Sequence, residues 1–342
     1  MNLRPKWLPV TMLGSLANAL YAEDASAHVK WFCAFDVAGQ PRNLENVLCA
    51  NFELLVGTAM LVLLAGCLVE RTLIAEGMHR AFDRVLEGVQ TNTELMFRAG
   101  CGFFFVAIWA TGGILLTPEL KTNSTAIGFL QLGIAAGMLS RRTMPLSGLG
   151  IAFLFIVAIL QYGAFHLADY PVFLGVAAYL ALMGMQSQFF GMRPLDVVRW
   201  AAAITLMWAS IEKWAYPQWT FPLINDNPSM TMGFEPEFFM QAAGVIEFTL
   251  AFALIWTPLV RRVAAIMLAA AFIGAIAQFG KLDAIGHALI IAALLAMAAD
   301  NIRVPEHRWN SLLAPAAYCG ALAAFMAIYY LSHAAIFGST IG

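Results

Sequence analysis

Residues 238–257 read FFMQAAGVIEFTLAFALIWT, a run with one charge, Glu247, and no proline. At 1.5 Å per residue such a helix reaches about 30 Å, the thickness of a bilayer's hydrocarbon core. Working outward from it, comparable apolar runs bounded by charged or Pro/Gly/Asn clusters lie near 51–69, 98–117, 126–140, 146–165, 171–190, 198–216, 263–280, 284–300 and 311–336. The composition agrees. Of 342 residues 61% are hydrophobic and 12% charged, against about 25% charged in soluble domains. A water-soluble fold is excluded, and the expected class is an all-α, polytopic transmembrane bundle of about ten spans. The net charge of −2, from 19 basic and 21 acidic residues, leaves no electrostatic footprint for nucleic acid.

The basic residues orient the spans. If the segment before the first span lies outside, the inner connections hold Arg71, Arg80, Arg84, Arg98, Arg141, Arg142, Arg193, Arg199, Arg261, Arg262, Arg303 and Arg308. The outer side keeps Lys30, Arg42, Lys121, Lys213 and Lys281, which is the positive-inside bias of a multi-pass inner-membrane protein with its C-terminus outside. Residues 1–27 read as a signal peptide or an uncut signal anchor: Arg4 and Lys6, an apolar stretch from Trp7 to Ala22, then Ala25-Ser26-Ala27. Residues 28–50 would form a periplasmic segment and 70–97 a polar cytoplasmic connector helix.

The chain also repeats itself. Gly128-Phe129-Leu130-Gln131 aligns with Gly244-Val245-Ile246-Glu247, and Gln161-Tyr162-Gly163 with Gln278-Phe279-Gly280, at nearly the same spacing. Arg98 and Arg199 each open the first helix of a unit. Residues 98–192 and 198–300 are therefore read as two tandem four-helix units with parallel orientation, followed by a last span at 311–336. The copies differ in ionisable content: Gln131 in the first stands against Glu247 in the second, which adds Glu212, Lys213, Lys281, Asp283 and His287, while the first has His166 and Asp169.

Glu247 falls near mid-bilayer, where an isolated carboxylate costs at least about 2.5–3.5 kcal/mol and must face the bundle. Glu212 is expected to face it, and Lys213 to reach outward. Asp283 and His287 share a helix face at i, i+4, with Lys281 beside them at the outer ends of two spans. These residues predict a polar pocket open to the outside. Its uses would be proton relay through Glu247 and Glu212, or binding of a quinone head group or small anion by Lys213, Lys281, Asp283 and His287. Cys33 and Cys49, both in the outer segment, are placed for a disulfide in an oxidising compartment. No metal motif is present. His28, if cleavage made it the N-terminus, would offer copper an amine and an imidazole, though no second histidine is nearby.

The motifs Ile211-Glu212-Lys213-Trp214, Ala243-Gly244-Val245-Ile246-Glu247 and Asp283-Ala284-Ile285-Gly286-His287 resemble those of the DoxX-like four-helix membrane proteins, which include MauE. The resemblance covers about 198–300, weakly 97–192. It implies redox work at the outer face with a membrane quinone or a periplasmic redox partner. The duplication and the extra N- and C-terminal segments depart from that pattern. Three expectations follow: a component of a quinone-linked oxidoreductase, a transporter or channel for a small solute or metal ion, or a scaffold holding a periplasmic enzyme through loop 214–237.

Overall fold

A computed structural model describes residues 29–32, 35–303 and 311–340. The signal-like stretch, His28 and Cys33 lie outside the described residues, so neither the copper site nor the disulfide is placed. In chain order the helices are α1 (Val29–Phe32), α2 (Leu44–Val47), α3 (Ala50–Val69), α4 (Leu73–Val85), α5 (Glu87–Thr91), α6 (Thr93–Thr111), α7 (Thr125–Gly137), α8 (Met144–Tyr162), α9 (Ala164–Leu167), α10 (Pro171–Met185), α11 (Pro194–Ala215), α12 (Pro217–Asp226), α13 (Pro236–Ala253), α14 (Pro258–Ala299) and α15 (Ala314–Phe337). Prolines start many of them, as suits a first turn whose N–H has no partner.

The fold is all-α. Five helices, α3, α6, α8, α14 and α15, are long and apolar enough to cross a membrane. The apolar α7 and α10 are shorter. Helix α11 carries Asp196, Arg199, Glu212 and Lys213, and α13 carries Glu237 and Glu247. Each apolar run picked from the sequence lies largely in a helix. One expectation is corrected: no loop separates 263–280 from 284–300. They are two arms of α14, redirected at Gly280 (φ 72°, ψ −152°). A glycine in a conformation closed to other residues turns the chain without exposing a loop's backbone.

The same break ends α8. Gly163, which aligns with Gly280 in the repeat, has φ 86° and ψ 152°. A second correspondence lies in the packing. A Cβ on Gly100 of α6 would collide with Ala292 on the 281–299 arm, and a Cβ on Gly175 of α10 would collide with Ala201 on α11. In the repeat alignment Gly100 matches Ala201 and Gly175 matches Ala292. These close approaches fall at small residues, which let backbones come near one another.

The basic end of the bundle is stitched by charges. Asp300 accepts hydrogen bonds from Arg193 (2.9 and 3.1 Å) and Arg199 (2.6 Å), and Asp196 binds both arginines. Arg199, Arg261 and Arg262 are fully buried. The connector is not merely a solvated surface helix. Its Ala75 and His79 are buried, and its Asp83 accepts a 2.8 Å hydrogen bond from Arg262 of α14. Partial burial opposes ionisation of Asp83, but bonds from Arg262, Gln90 and Arg303 outweigh it and hold the carboxyl below its usual range. Burial, reinforced by Arg303 and Arg262, keeps His79 below its ordinary value.

Candidate functional site

At the opposite end lies a cavity of about 410 Å³, within the usual range for small-molecule sites. Most of its wall is apolar, contributed by α10, α11, α13 and both arms of α14, and its polar groups cluster around two ion pairs. The depth of these pairs follows from α3, whose twenty residues span about 30 Å. Cys49, just before α3, contacts Gln241 (3.3 Å), and Glu70, just after it, accepts a 2.8 Å hydrogen bond from Thr257. On α13, Glu247 sits about 9 Å from Gln241 and about 9 Å from the helix end at Ala253, at 1.5 Å per residue. It occupies the middle third of the bundle.

Glu247 pairs with Lys213 at 2.9 Å, both side chains partly exposed. This reverses the expected arrangement, in which Glu212 faced Glu247 and Lys213 reached outward. Successive residues of a helix point about 100° apart, so once Lys213 faces α13, Glu212 turns into the interior. There it meets Lys30, whose ammonium donates to Glu212 at 2.7 Å and also to Asp169. All three are buried. Burial on its own would discharge the Lys30 amine, but the adjacent Asp169 and Glu212 carboxylates outweigh it and hold the pKa above the ordinary lysine value. The Asp169 Oδ1, also buried, has no hydrogen-bond partner among the described residues.

The segment bearing Lys30 contributes a second side chain. Trp31 lies 4.7 Å between centroids from the His287 ring, whose other neighbour, Phe272, is 4.6 Å away. Trp31 fits only because residue 286 is glycine; a Cβ there would run into its indole. Above the pocket, the stretch between α11 and α13 folds into α12 and a short 3-10 turn, Pro228–Thr231, and α12 lines the cavity from that side. Trp219 of α12 is 5.5 Å from the Lys30 ammonium, face on, and stacks on Tyr216 at 4.1 Å. The Tyr216 hydroxyl lies 2.8 Å from His333 Nε2 of α15.

Glu212, Lys213, Glu247 and His287 therefore line one cavity. Asp283 is buried behind it, 3.0 Å from His287 Nδ1, and is not part of the cavity lining. Lys281 is exposed and lies outside the cavity lining. Reasoning from sequence missed Lys30 and Trp31. Their one available signal was a lysine beside two aromatics in His28-Val29-Lys30-Trp31-Phe32, an otherwise unexplained grouping.

The aligned region of the first set is different. Gln131, 2% exposed, donates to the carbonyls of Ile114 (2.7 Å) and Leu115 (3.1 Å). Tyr170 donates to Glu119, which lies 4.0 Å from His166. Burial raises the Glu119 pKa, and burial plus the nearby Lys30 charge drives His166 down to about 4. Tyr170 and the His166 ring thus surround the Glu119 carboxyl.

Among the described residues no group of three or more His, Cys, Asp or Glu is arranged to hold a metal ion. Comparison with protein-family profiles, with curated proteins and with solved structures gave no match for this chain.

Proposed function

We propose that this chain is a bacterial or archaeal-type inner-membrane protein of about ten crossings, built from two tandem DoxX-like units, which serves a quinone-linked oxidoreductase through a cavity lined mainly by its second unit. The observation that carries the reading is a largely apolar cavity of about 410 Å³ whose polar end holds Lys30–Asp169–Glu212 and Lys213–Glu247. Matching glycine breaks at Gly163 and Gly280 and the reciprocal Gly100–Ala292 and Gly175–Ala201 approaches support the duplication. The segregation of buried arginines at the far end supports an inner placement of that end, with the cavity and the C-terminus outside.

The residues present fit a quinone. A planar ring suits the aromatic walls of Phe272, Trp31 and His287. Lys213 offers a donor to a quinone carbonyl, and the unpartnered Asp169 Oδ1 an acceptor for a hydroxyl of the reduced quinol. Quinone, when bound, would supply two-electron redox chemistry at the membrane face. The chain's own part would be to orient the ring with Lys213 and His287 and to exchange a proton at the Glu247 carboxylate. Glu212 would hold Lys30 in place.

A transporter would need polar groups continuing towards the basic end. Instead Ala202, Ala203, Ala293, Leu294 and Met297 are all buried below the cavity, which favours the first reading. The test is extraction of the purified protein for bound quinone, combined with Glu247→Gln in a quinol-formation assay. Copurified quinone and loss of turnover in the variant are expected. Full turnover in Glu247→Gln would remove it from the site.

A further inference from the structure

We infer that the cavity opens sideways, through a slit between α13 and the 258–279 arm of α14, and that it takes a membrane-dissolved amphiphile arriving from the hydrocarbon layer and not a solute from water. The inference rests on the cavity being the working site and adds the route and the physical class of its occupant. One lip of the slit is the α13 row Phe239, Ala243 and Glu247, a stripe at i, i+4, i+8. The other is Ala271 and Ala275 on α14. Ala271 is exposed while lining the cavity, and Ala243, Glu247 and Ala275 are partly exposed. The wall is breached along this line. The lips are mostly alanine, too small to close the gap.

The surface around the slit is apolar. Ile246, Met267 and Ile273, on the outer faces of the same two helices, are large exposed hydrophobics. Glu247, at the inner end of the slit, lies about 9 Å below the level of Gln241, within the part of the bundle that α3 brackets. Overhead, α12 roofs the cavity with Thr220 and Leu223. An entrant would leave its apolar body among lipid tails while its polar head reaches Lys213 and Glu247.

The first set provides the control. The positions that align with Ala271, Phe272 and Ala275 are Leu154, Phe155 and Ala158, with exposures of 0%, 5% and 0%. The same helix face is sealed there.

The experiment uses the full chain in phosphatidylcholine nanodiscs. A nitroxide is placed by Ala271→Cys, and for comparison by Ala158→Cys, after replacement of the native cysteines, and its collisions with dissolved oxygen and with a water-soluble nickel chelate are measured. Separately, uptake of decylubiquinone is followed by tryptophan quenching in the otherwise native chain and in Ala271→Trp, which needs no cysteine replacement. The expected result is an oxygen-dominated signal at 271, little from either reagent at 158, and at least tenfold slower uptake in Ala271→Trp. Nickel-dominated collisions at 271, or unchanged uptake in Ala271→Trp, would overturn the lateral route even if quinone binds. An oxygen-dominated signal at 271 without saturable decylubiquinone binding would uphold the route and discard quinone as the occupant.

Discussion

On the tandem-unit reading proposed above, the two four-helix sets share helix order, glycine breaks and reciprocal contacts, yet most of the charged groups lining the cavity come from the second. At the paired positions Gln131 and Glu247, the first set uses an amide that donates to two backbone carbonyls, whereas the second uses a carboxylate that needs a cation, Lys213. An amide can be satisfied by local backbone and leaves the helices free to close. A carboxylate in a medium of low polarity demands a charged partner and the room to hold it. The comparison teaches that the group at one helix position decides whether local backbone suffices as its partner or a cation must be brought to it.

The most severe way to break this contrast is to remove Lys30, which reaches both sets through Asp169 and Glu212. Lys30→Met strands two buried carboxylates and should cost about 3–5 kcal/mol, read as a large drop in the thermal midpoint of the detergent-solubilised protein. Adding Asp169→Asn should recover part of it. An unchanged midpoint in Lys30→Met would show that the buried triad is not what joins the sets.

Exchanging the paired residues sharpens the contrast further. Gln131→Glu would place a carboxylate against two carbonyl oxygens, at about 2.5–3.5 kcal/mol. Glu247→Gln keeps an acceptor for a partly exposed lysine and should cost under about 1 kcal/mol of stability, while ending turnover. Equal costs from the two exchanges, measured by urea or thermal unfolding, would contradict the account given for each.

A middling effect is expected where the sets agree. Gly163→Ala and Gly280→Ala each force a side chain into a backbone region that glycine alone enters easily, and both should lose about 1–2 kcal/mol. Similar losses would sharpen the equivalence; a loss at one site only would break it.

The smallest effect concerns the basic ends. Both Arg98 and Arg262 donate to a backbone carbonyl, of Met138 (2.8 Å) and Ala298 (3.0 Å), but the acid beside Arg98 is Glu94 of its own helix at 3.5 Å, whereas Arg262 reaches Asp83 of the connector at 2.8 Å. Because the folded pKa of Asp83 is lowered, its contribution is complete above the ordinary carboxylate value near pH 4 and is lost as pH falls through the lowered one. The loss should be about 1 kcal/mol. Asp83→Asn should flatten that acid dependence in a pH series of melting curves.

Much of this fold was legible in the chain because the hydrocarbon layer imposes length and apolarity on each crossing, and because Gln-x-Gly recurs at both breaks. Glu212, Lys213, Glu247 and His287 stood out for the same reason, as charges in apolar context, and the structure gathers them around one cavity. Lys30 did not stand out, since its partners lie far along the chain and no local pattern announces them. Nor could sequence tell Lys281, at the surface, from Asp283, buried behind His287, because both sit near the same helix start. The partner exchange between Glu212 and Lys213 turned on about 100° of helix rotation, which packing decides. The sealed face of Leu154 and the open one of Ala271 depend on how far two helices separate, a quantity that apolar patterning leaves free.

The grip of Lys30 on Asp169 and Glu212 has a consequence for manufacture. During synthesis the lysine emerges from the ribosome long before either acid exists, and the second acid arrives only when a sixth apolar stretch is being threaded. The early segment must therefore wait, undocked, until then. Its insertion becomes a late fastening event that only a correctly oriented, nearly finished chain can complete.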